Sequence, residues 1–550
     1  MKKSIYITIF FVLLVICFSI HAYALEIISV SSIRPGMEGI GKTVFQGTKI
    51  ENFRVKVIDV VEEDNGESLI FVKLLDKRFS DYGSIVAGMS GSPIYFDGKL
   101  AGALAYGWKY TKGPYGLVVP IGNMLKIKRD FFAFKNLVNT ASYLSVSGVG
   151  ERGYEYLNKT FSKFGIKTIH TGIVNAKLSK HLLLEPGSAV SVGLSTGDLN
   201  ISAIGTLTYR DKDFFLAFGH PIFRKGDVDF LLSSAYIFGV VPNTEMPFKL
   251  GAPIRPIGKV TQDRGQGVGG FIGKYPKVIS IIVKVEDKDY KKTHFFRVKS
   301  VQDEDLFPIV LLVSVLEGID KSINRVGRGT SSITVSFNRG GVPIAKIDNM
   351  FFSSEDIAAE SLRSLRDLIF DLEDNPFEKL DFDEVKVNIG ITKKKNVGYI
   401  KEVTLDRDNY KPGELIKAEV KIKPYRRPIF TEHVSIRIPD DFPYGTAYLL
   451  VRGGDVVLPE NIDAEKKEIN NLQDFIEDLT NREKNNSIVV ELYSETFAKA
   501  AKKAKEEKGG ISLEEFFANI ETKKAKRVFD MDMVIGDWVE KEVRITSGKR

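Results

Sequence analysis

The segment from Ser84 to Gly107 reads SIVAGMSGSPIYFDGKLAGALAYG and carries the most structural information in the chain. Ile94 to Phe96 is typical of a short strand, and Leu100 to Tyr106 is typical of a second one. Between them, Asp97-Gly98 is a sequence that favours a two-residue hairpin turn. The segment therefore predicts a β-hairpin that follows a turn rich in small residues.

A serine stands at the centre of that turn, with Gly88 before it and Gly91 after it. A serine nucleophile needs a hydroxyl that protrudes from a tight turn, and backbone N–H groups directed at the place where an oxyanion develops. Glycine allows the unusual backbone angles of such a turn and leaves room for a substrate carbonyl. The setting of Ser90 therefore fits a nucleophile.

The same residues resemble the nucleophile region of chymotrypsin-like serine peptidases. The similarity is closer to the stage IV sporulation protein B (SpoIVB) peptidase family, in GMSGSPI, in DGKL and in the upstream GSIV. This resemblance implies that Ser90 is the nucleophile and that the N–H groups of Gly88 and Ser90 form the oxyanion hole. Met89 replaces the usual aspartate, so activation by pairing with a freed N-terminus is not expected.

The resemblance also implies where a substrate binds. The strand end Ala105-Tyr106-Gly107 would be the edge that pairs with an extended peptide. The floor of the specificity pocket would lie near Ser84, so a preference for basic residues is not expected.

A serine hydroxyl is a poor nucleophile until a base takes its proton. His220 ends an apolar strand and stands between Gly219 and Pro221, and the resemblance to the SpoIVB family makes Gly219-His220 the matching position. We therefore expect His220 to be the base. Surface or structural roles are expected for the other histidines that follow residue 24, which are His170, His181, His294 and His433.

Three aspartates are candidates for the carboxylate that orients the histidine. Asp76 ranks first because it resembles an aspartate upstream of the family's serine. Asp229 follows His220 closely, and Asp263 follows it at a distance similar to that in chymotrypsin-like domains. The serine precedes the histidine here, whereas the order is reversed in the peptidases that the chain resembles. The two halves are therefore expected in swapped order, which a triad defined by geometry permits.

Composition limits the other possibilities. The 550 residues are 43% hydrophobic and 27% charged with a net charge of +7, and basic residues are scattered among acidic ones, so no nucleic-acid partner is expected. Residues 1–24 have the pattern of a signal peptide, which predicts export across the inner membrane to the periplasm, the envelope or the outside. Cys17, the single cysteine, lies in that segment. No cofactor or metal site is expected.

The predicted fold is mainly β, with a two-barrel chymotrypsin-like core followed by an immunoglobulin-like sandwich and a mixed α/β region. An apolar stretch at 308–316, PIVLLVSVL, is interpreted as a buried strand. The predicted domains are a signal peptide (1–24), a barrel with the serine (25–135), a barrel with the histidine (136–350), a helical linker (351–384), the sandwich (385–455) and the C-terminal region (456–550).

Two functions follow from these observations. The first is an exported serine endopeptidase that acts on protein or peptide substrates through an acyl-enzyme. The alternative is a catalytically inactive, peptidase-like envelope scaffold or binding protein. In the peptidase hypothesis the C-terminal sandwich and mixed region would bind substrate or envelope partners.

Overall fold

The structure is a computed structural model that describes residues 26–62, 67–128, 138–139, 143–174, 184–456, 469–496 and 524–547. The predicted signal peptide lies outside these residues. The described chain forms two compact units. The first contains the residues up to Lys277 together with Val301–Asp303, and the second contains Val278–Ser300 and the residues from Glu304 onward.

The first unit is built from short strands. Its described helices are α1 (Lys77–Tyr82), α2 (Ile121–Met124) and α3 (Glu151–Ser162). Its described strands are β1 (Glu38–Val44), β2 (Ile50–Glu62), β3 (Ser68–Leu74), β4 (Ser92–Phe96), β5 (Lys99–Gly107), β6 (Tyr115–Pro120), β7 (Val138–Asn139), β8 (Tyr143–Ser147), β9 (Lys167–His170), β10 (Ala189–Gly197), β11 (Asn200–Asp211), β12 (Phe214–Ala217), β13 (Gly226–Val241), β14 (Phe248–Arg264) and β15 (Gly267–Ile272).

Six of these strands close the first barrel. They are hydrogen-bonded in the order β4-β1-β2-β3-β6-β5, and β5 pairs again with β4. Side chains alternate between the inside and the outside of this barrel. In β2, Phe53, Val55 and Val57 are buried while the residues between them are exposed. The predicted hairpin is present as β4 and β5, with its turn at Asp97-Gly98.

A second ring follows in the order β10-β13-β14-β15-β12-β11, and β11 pairs again with β10. The two-barrel architecture predicted from the sequence is thereby confirmed. We expected the second barrel to extend to residue 350, but its ring ends at Ile272. The strands that follow belong to the second unit.

The second unit contains the described helices α4 (Phe307–Ile323), α5 (Ile357–Ser361), α6 (Arg363–Glu373) and α7 (Leu472–Thr480). Its described strands are β16 (Val278–Asp287), β17 (Lys292–Val301), β18 (Gly329–Arg339), β19 (Val342–Ser353), β20 (Glu384–Thr392), β21 (Val397–Leu405), β22 (Asn409–Tyr410), β23 (Leu415–Pro424), β24 (Phe430–Arg437), β25 (Gly445–Gly453), β26 (Ser487–Ser494), β27 (Lys524–Asp530), β28 (Val534–Gly536) and β29 (Trp538–Ile545).

The interpretation of 308–316 as a strand is wrong, because this stretch lies inside the helix α4. Nearly every residue from Phe307 to Ile319 is buried, so the helix has no polar face that would reveal its period. A continuous apolar stretch of this kind does not distinguish a buried strand from a buried helix. None of the helices in the described residues combines the length and the apolar character that a bilayer crossing requires.

The predicted sandwich consists of two sheets around a shared apolar core, in the orders β24-β23-β21-β28 and β22-β29-β25-β26-β27. Its bounds differ from the expected 385–455. The strand β20 pairs with β18 and β16 instead, and the strands after residue 485 complete the sandwich. The C-terminal region is therefore not a separate domain in its described part.

Candidate active site

Ser90 lies in a tight turn just before β4. Gly88 and Gly91 on either side both have a φ of +90°, a conformation that favours glycine. Ser92 closes the turn, since its N–H donates to the Met89 carbonyl at 2.8 Å and its hydroxyl donates to the same oxygen at 2.6 Å. The turn places Ser90 between two glycines, as the sequence predicts.

The turn belongs to the first barrel but is held by β11 of the second. The Thr206 N–H donates to the Ser90 carbonyl at 2.8 Å, and the Thr208 hydroxyl donates to the Gly91 carbonyl at 2.8 Å. A Cβ atom at Gly91 would lie 2.0 Å from the Thr206 carbonyl oxygen, so only glycine fits at this contact. The nucleophile candidate therefore lies at the junction of the two barrels.

His220 reaches the same junction from the second barrel. Phe218 and Gly219, which follow β12, have φ values of +66° and +72° and turn the chain. At Gly219 the backbone packs against β5, because a Cβ atom there would lie 3.0 Å from the Cβ atoms of Ala103 and Ala105. The imidazole ring lies 6.0 Å from the Tyr106 ring, between centroids.

A backbone carbonyl orients the His220 ring. The Pro221 oxygen lies 2.7 Å from Nδ1, and because a carbonyl only accepts, Nδ1 must carry the proton. Nε2 is then an acceptor, which is the form that a general base requires. Burial lowers the pKa of His220 to about 4, against the opposing effect of the Pro221 hydrogen bond. The ring is therefore neutral at pH 7.

Both reactive atoms lack a partner. Ser90 Oγ and His220 Nε2 are buried, and neither makes a hydrogen bond to any residue that the structure describes. The two atoms are therefore not hydrogen-bonded to each other in this form. Buried polar atoms without partners are uncommon in native proteins and call for an explanation.

The backbone of the turn leaves two N–H groups unused. Met89 N–H donates to the Val86 carbonyl and Gly91 N–H donates to the Leu104 carbonyl. Within the described residues, the N–H groups of Gly88 and Ser90 donate to no backbone carbonyl. These are the two groups that the resemblance assigns to an oxyanion hole.

The predicted substrate-binding residues are buried or paired with other parts of the chain. The end of β5 at Tyr106 and Gly107 pairs with the chain's own β7, at Asn139 and Val138. Ala105 is buried, and Ser84 is buried with its hydroxyl donating to the Ile85 carbonyl at 3.0 Å. The edge expected to receive a substrate peptide is therefore covered in this form.

None of the three candidate aspartates contacts the His220 ring. Asp76 precedes α1 and pairs with Arg54 and Arg78. Asp229 pairs with Lys259. Asp263 is buried and accepts the N–H groups of Ile222 and Phe223 at 2.7 and 2.8 Å, so it fixes the loop after His220 and not the ring itself.

Our sequence reasoning missed one residue of the site, Lys249. Its side chain is buried beneath Gly88, where a Cβ atom would lie 3.2 Å from the lysine chain. Its Nζ donates to Thr43 Oγ1 at 2.7 Å, and that hydroxyl lies 3.3 Å from Thr206 Oγ1, which donates to the Gly88 carbonyl at 3.3 Å. Lys249 thus supports the turn through two threonines.

Burial lowers the pKa of Lys249 to about 7, since its ammonium has no carboxylate within ion-pair distance among the described residues. The one available signal in the sequence is a lone lysine inside the apolar stretch FKLGAPI, which begins at Phe248. Such a lysine is more often an exposed strand residue, so the pattern alone does not identify it.

Comparison with known proteins supports the peptidase resemblance for one part of the chain. Residues 16–125 match the family model of the SpoIVB peptidase S55. The matched segment includes Ser90 and ends well before His220. No curated protein and no solved structure matches the chain. The first barrel therefore carries the sequence pattern of a serine peptidase family.

Proposed function

We propose that this chain is an exported serine endopeptidase in which Ser90 is the nucleophile and His220 is the base. The observation that carries this proposal is the pair of buried, unpartnered atoms, Ser90 Oγ and His220 Nε2, which two different barrels bring to their junction. A role in proton transfer between them explains why both atoms lack a permanent partner.

The proposed reaction uses groups already present at the junction. Oγ attacks the scissile carbonyl carbon while Nε2 takes its proton, and the Gly88 and Ser90 N–H groups stabilise the oxyanion. The imidazolium then protonates the leaving amine, which frees the C-terminal product and leaves an acyl-enzyme. Water hydrolyses the acyl-enzyme with His220 again acting as the base, and Ser90 is regenerated.

The Pro221 carbonyl takes the position that a carboxylate occupies in a triad. It holds the same tautomer but supplies no full negative charge to stabilise the imidazolium. The ordering of the loop by Asp263 gives this carboxylate a positioning role in the proposal, since it holds the residues directly after His220-Pro221.

The junction is closed in this form. Ser90 and His220 are fully buried, and β7 covers the end of β5. Access of a peptide therefore requires β7 to leave β5 and the junction to open. This burial also favours the second candidate function, an inactive envelope scaffold that keeps the barrels.

A serine-reactive fluorophosphonate probe distinguishes the two functions. We expect labelling of the wild-type chain on the peptide that contains Ser90, and loss of labelling in Ser90→Ala and His220→Ala. The matched control is His294→Ala, which removes an exposed histidine and should label like the wild type.

Labelling is followed across sub-denaturing urea concentrations, because the closed junction must open for the probe to enter. A chain that stays folded by circular dichroism and never labels at Ser90 supports the scaffold. Export is tested separately by sequencing the N-terminus of the protein recovered outside the cytoplasm, where cleavage after Ala24 is expected.

A further inference from the structure

A strongly basic cleft lies in the second unit, within that unit alone. Its volume is about 620 Å³, and one carboxylate, Asp532, is among the lining residues. Seven cationic side chains line it, and they come from four separate parts of the chain: Lys288, Arg328, Lys393, Lys394, Lys395, Arg426 and Arg427.

None of these seven cations has a carboxylate within ion-pair distance among the residues that the structure describes. Their contacts are with neutral groups. Lys395 Nζ lies about 5 Å over the ring of Tyr425, and Arg426 lies 5.0 Å over the same ring. Arg427 donates to Asn396 Oδ1 at 2.8 Å, and Lys393 Nζ to the Tyr290 hydroxyl at 3.2 Å.

Several cations elsewhere in the same unit have carboxylate partners. On the neighbouring sandwich surface, Lys401 pairs with Asp537 and Lys421 pairs with Glu402, each at 2.9 Å. Asp289, which does not line the cleft, accepts the Lys393 N–H and the Thr392 hydroxyl, each at 2.7 Å. The cleft therefore brings together seven cations that have no carboxylate partner among the described residues.

Seven like charges around one cavity repel each other and create a positive potential that concentrates anions. The hydroxyl of Ser332 adds a neutral hydrogen-bonding group to the lining, whereas the Thr392 hydroxyl already donates to Asp289. Mixed arginine, lysine and hydroxyl donors are the groups that bind phosphate oxygens. Because the site is concave, it surrounds a compact anion more completely than a flat protein surface would.

We propose that this cleft binds an anion that carries several phosphate groups. One phosphate monoester brings between one and two negative charges and three acceptor oxygens in a small volume, whereas an acidic peptide brings about one charge per residue. A compact polyphosphate therefore offsets more of the seven positive charges within the cleft than an acidic peptide of the same volume does. The ligand is either a soluble polyphosphate or the headgroup of a phosphorylated lipid.

The test uses the full chain and sodium tripolyphosphate as the probe, with calorimetry at two salt concentrations. We expect binding that weakens with salt, because the contacts are ionic. In the triple variant Arg328→Gln, Lys394→Gln, Arg426→Gln, binding should weaken at least about tenfold, since three charge-assisted contacts are lost.

The matched control is Lys417→Gln, Lys421→Gln, Lys541→Gln, which removes the same charge from sandwich residues that do not line the cleft. It should bind tripolyphosphate within about twofold of the wild type, because these lysines make no contact in the cleft and salt screens their charges. Equal weakening in both triple variants would show an effect of net charge and overturn the site. Absence of binding by the folded wild-type chain would do the same.

Two further probes identify the class and the source of the ligand. Poly-glutamate of equal total charge should bind more weakly than tripolyphosphate, and equal affinity with equal sensitivity to the cleft variant would overturn the phosphate assignment. Vesicles of phosphatidylcholine with phosphatidylinositol bisphosphate, whose headgroup carries several phosphate groups, test the lipid source. Sedimentation with these vesicles that tripolyphosphate reverses supports a headgroup ligand, and failure to sediment by a chain that binds tripolyphosphate supports a soluble one. Sedimentation that is insensitive to the cleft variant overturns the proposal.

Discussion

Ser90 and His220 show how far single residues can be predicted from the sequence. The glycines near Ser90 predict the backbone conformation of the turn, because Gly88 and Gly91 both have positive φ values that favour glycine. The partner of His220 Nδ1 could not be predicted in the same way. A backbone carbonyl one residue later leaves no side-chain signal in the sequence, whereas the aspartates that the sequence offers have other partners.

The role of Lys249 also could not be predicted from the sequence. Its importance comes from being buried under Gly88, and burial depends on how β14 packs against the turn. Contacts of this kind join residues more than a hundred positions apart. A single sequence therefore contains no local pattern that would reveal them.

The buried His220 ring makes stability depend on pH. The folded pKa is about 4, and the ordinary value is 6.5. Between these values the unfolded chain binds a proton that the folded chain does not, so the free energy of unfolding should fall as the pH falls from 6.5 to 4. The loss is about 3 kcal/mol at full effect.

The measurement is urea unfolding of the first unit, followed by Trp108 fluorescence in a Trp538→Phe background, at pH 6.5 and pH 4. In His220→Phe, the part of the pH dependence that comes from this ring should disappear. Exposed His294→Gln is the control and should keep the wild-type slope. An unchanged slope in His220→Phe would show that the ring is hydrated in solution.

At the scale of elements, strands with alternating burial were predictable and the buried helix was not. β2 alternates apolar and charged residues, which gives a period of two in the sequence. α4 is buried on all sides and has no such period. The sandwich strands after residue 485 alternate less clearly, because every residue of β26 is buried.

The docking of the Ser90 turn on β11 can be tested by comparing two glycines, one inside this turn and one outside it. Gly91 and Gly36 have φ values of +90° and +88°, and they differ in their surroundings. A Cβ atom at Gly91 would meet the Thr206 carbonyl at 2.0 Å, whereas one at Gly36 would meet nothing within 4 Å.

We therefore expect Gly36→Ala to lower the free energy of unfolding by about 1–2 kcal/mol, through backbone strain alone. Gly91→Ala carries the same strain and must also push β11 away, which should cost about 3 kcal/mol more. Urea unfolding followed by Trp108 fluorescence measures both. Equal losses in the two variants would mean that the turn does not dock on β11 as described.

On the scale of the whole molecule, the two barrels and the sandwich could be predicted from the sequence, but the residues at which they begin and end could not. Bounds depend on which strands pair, and the sandwich is completed by strands that follow a long separation in the chain. β25 pairs with β26 and β29, so the expected boundary at 455 cuts through a sheet.

This pairing predicts the behaviour of two fragments. Residues 278–550 contain a complete second unit and should unfold in one cooperative thermal transition, followed by circular dichroism. Residues 278–455 lack four strands of the sandwich and about a third of its buried core residues, so they should show no cooperative transition for that domain. Cooperative folding of the sandwich in the shorter fragment would contradict the observed topology.

The order of the two barrels has a consequence for synthesis. A ribosome makes the barrel with the serine first, and the histidine follows 130 positions later. If the proposed chemistry holds, a nascent chain of the first two hundred residues possesses an alcohol with no base to activate it. The nascent chain then cannot cleave peptide bonds by this chemistry until the second barrel has also been synthesised.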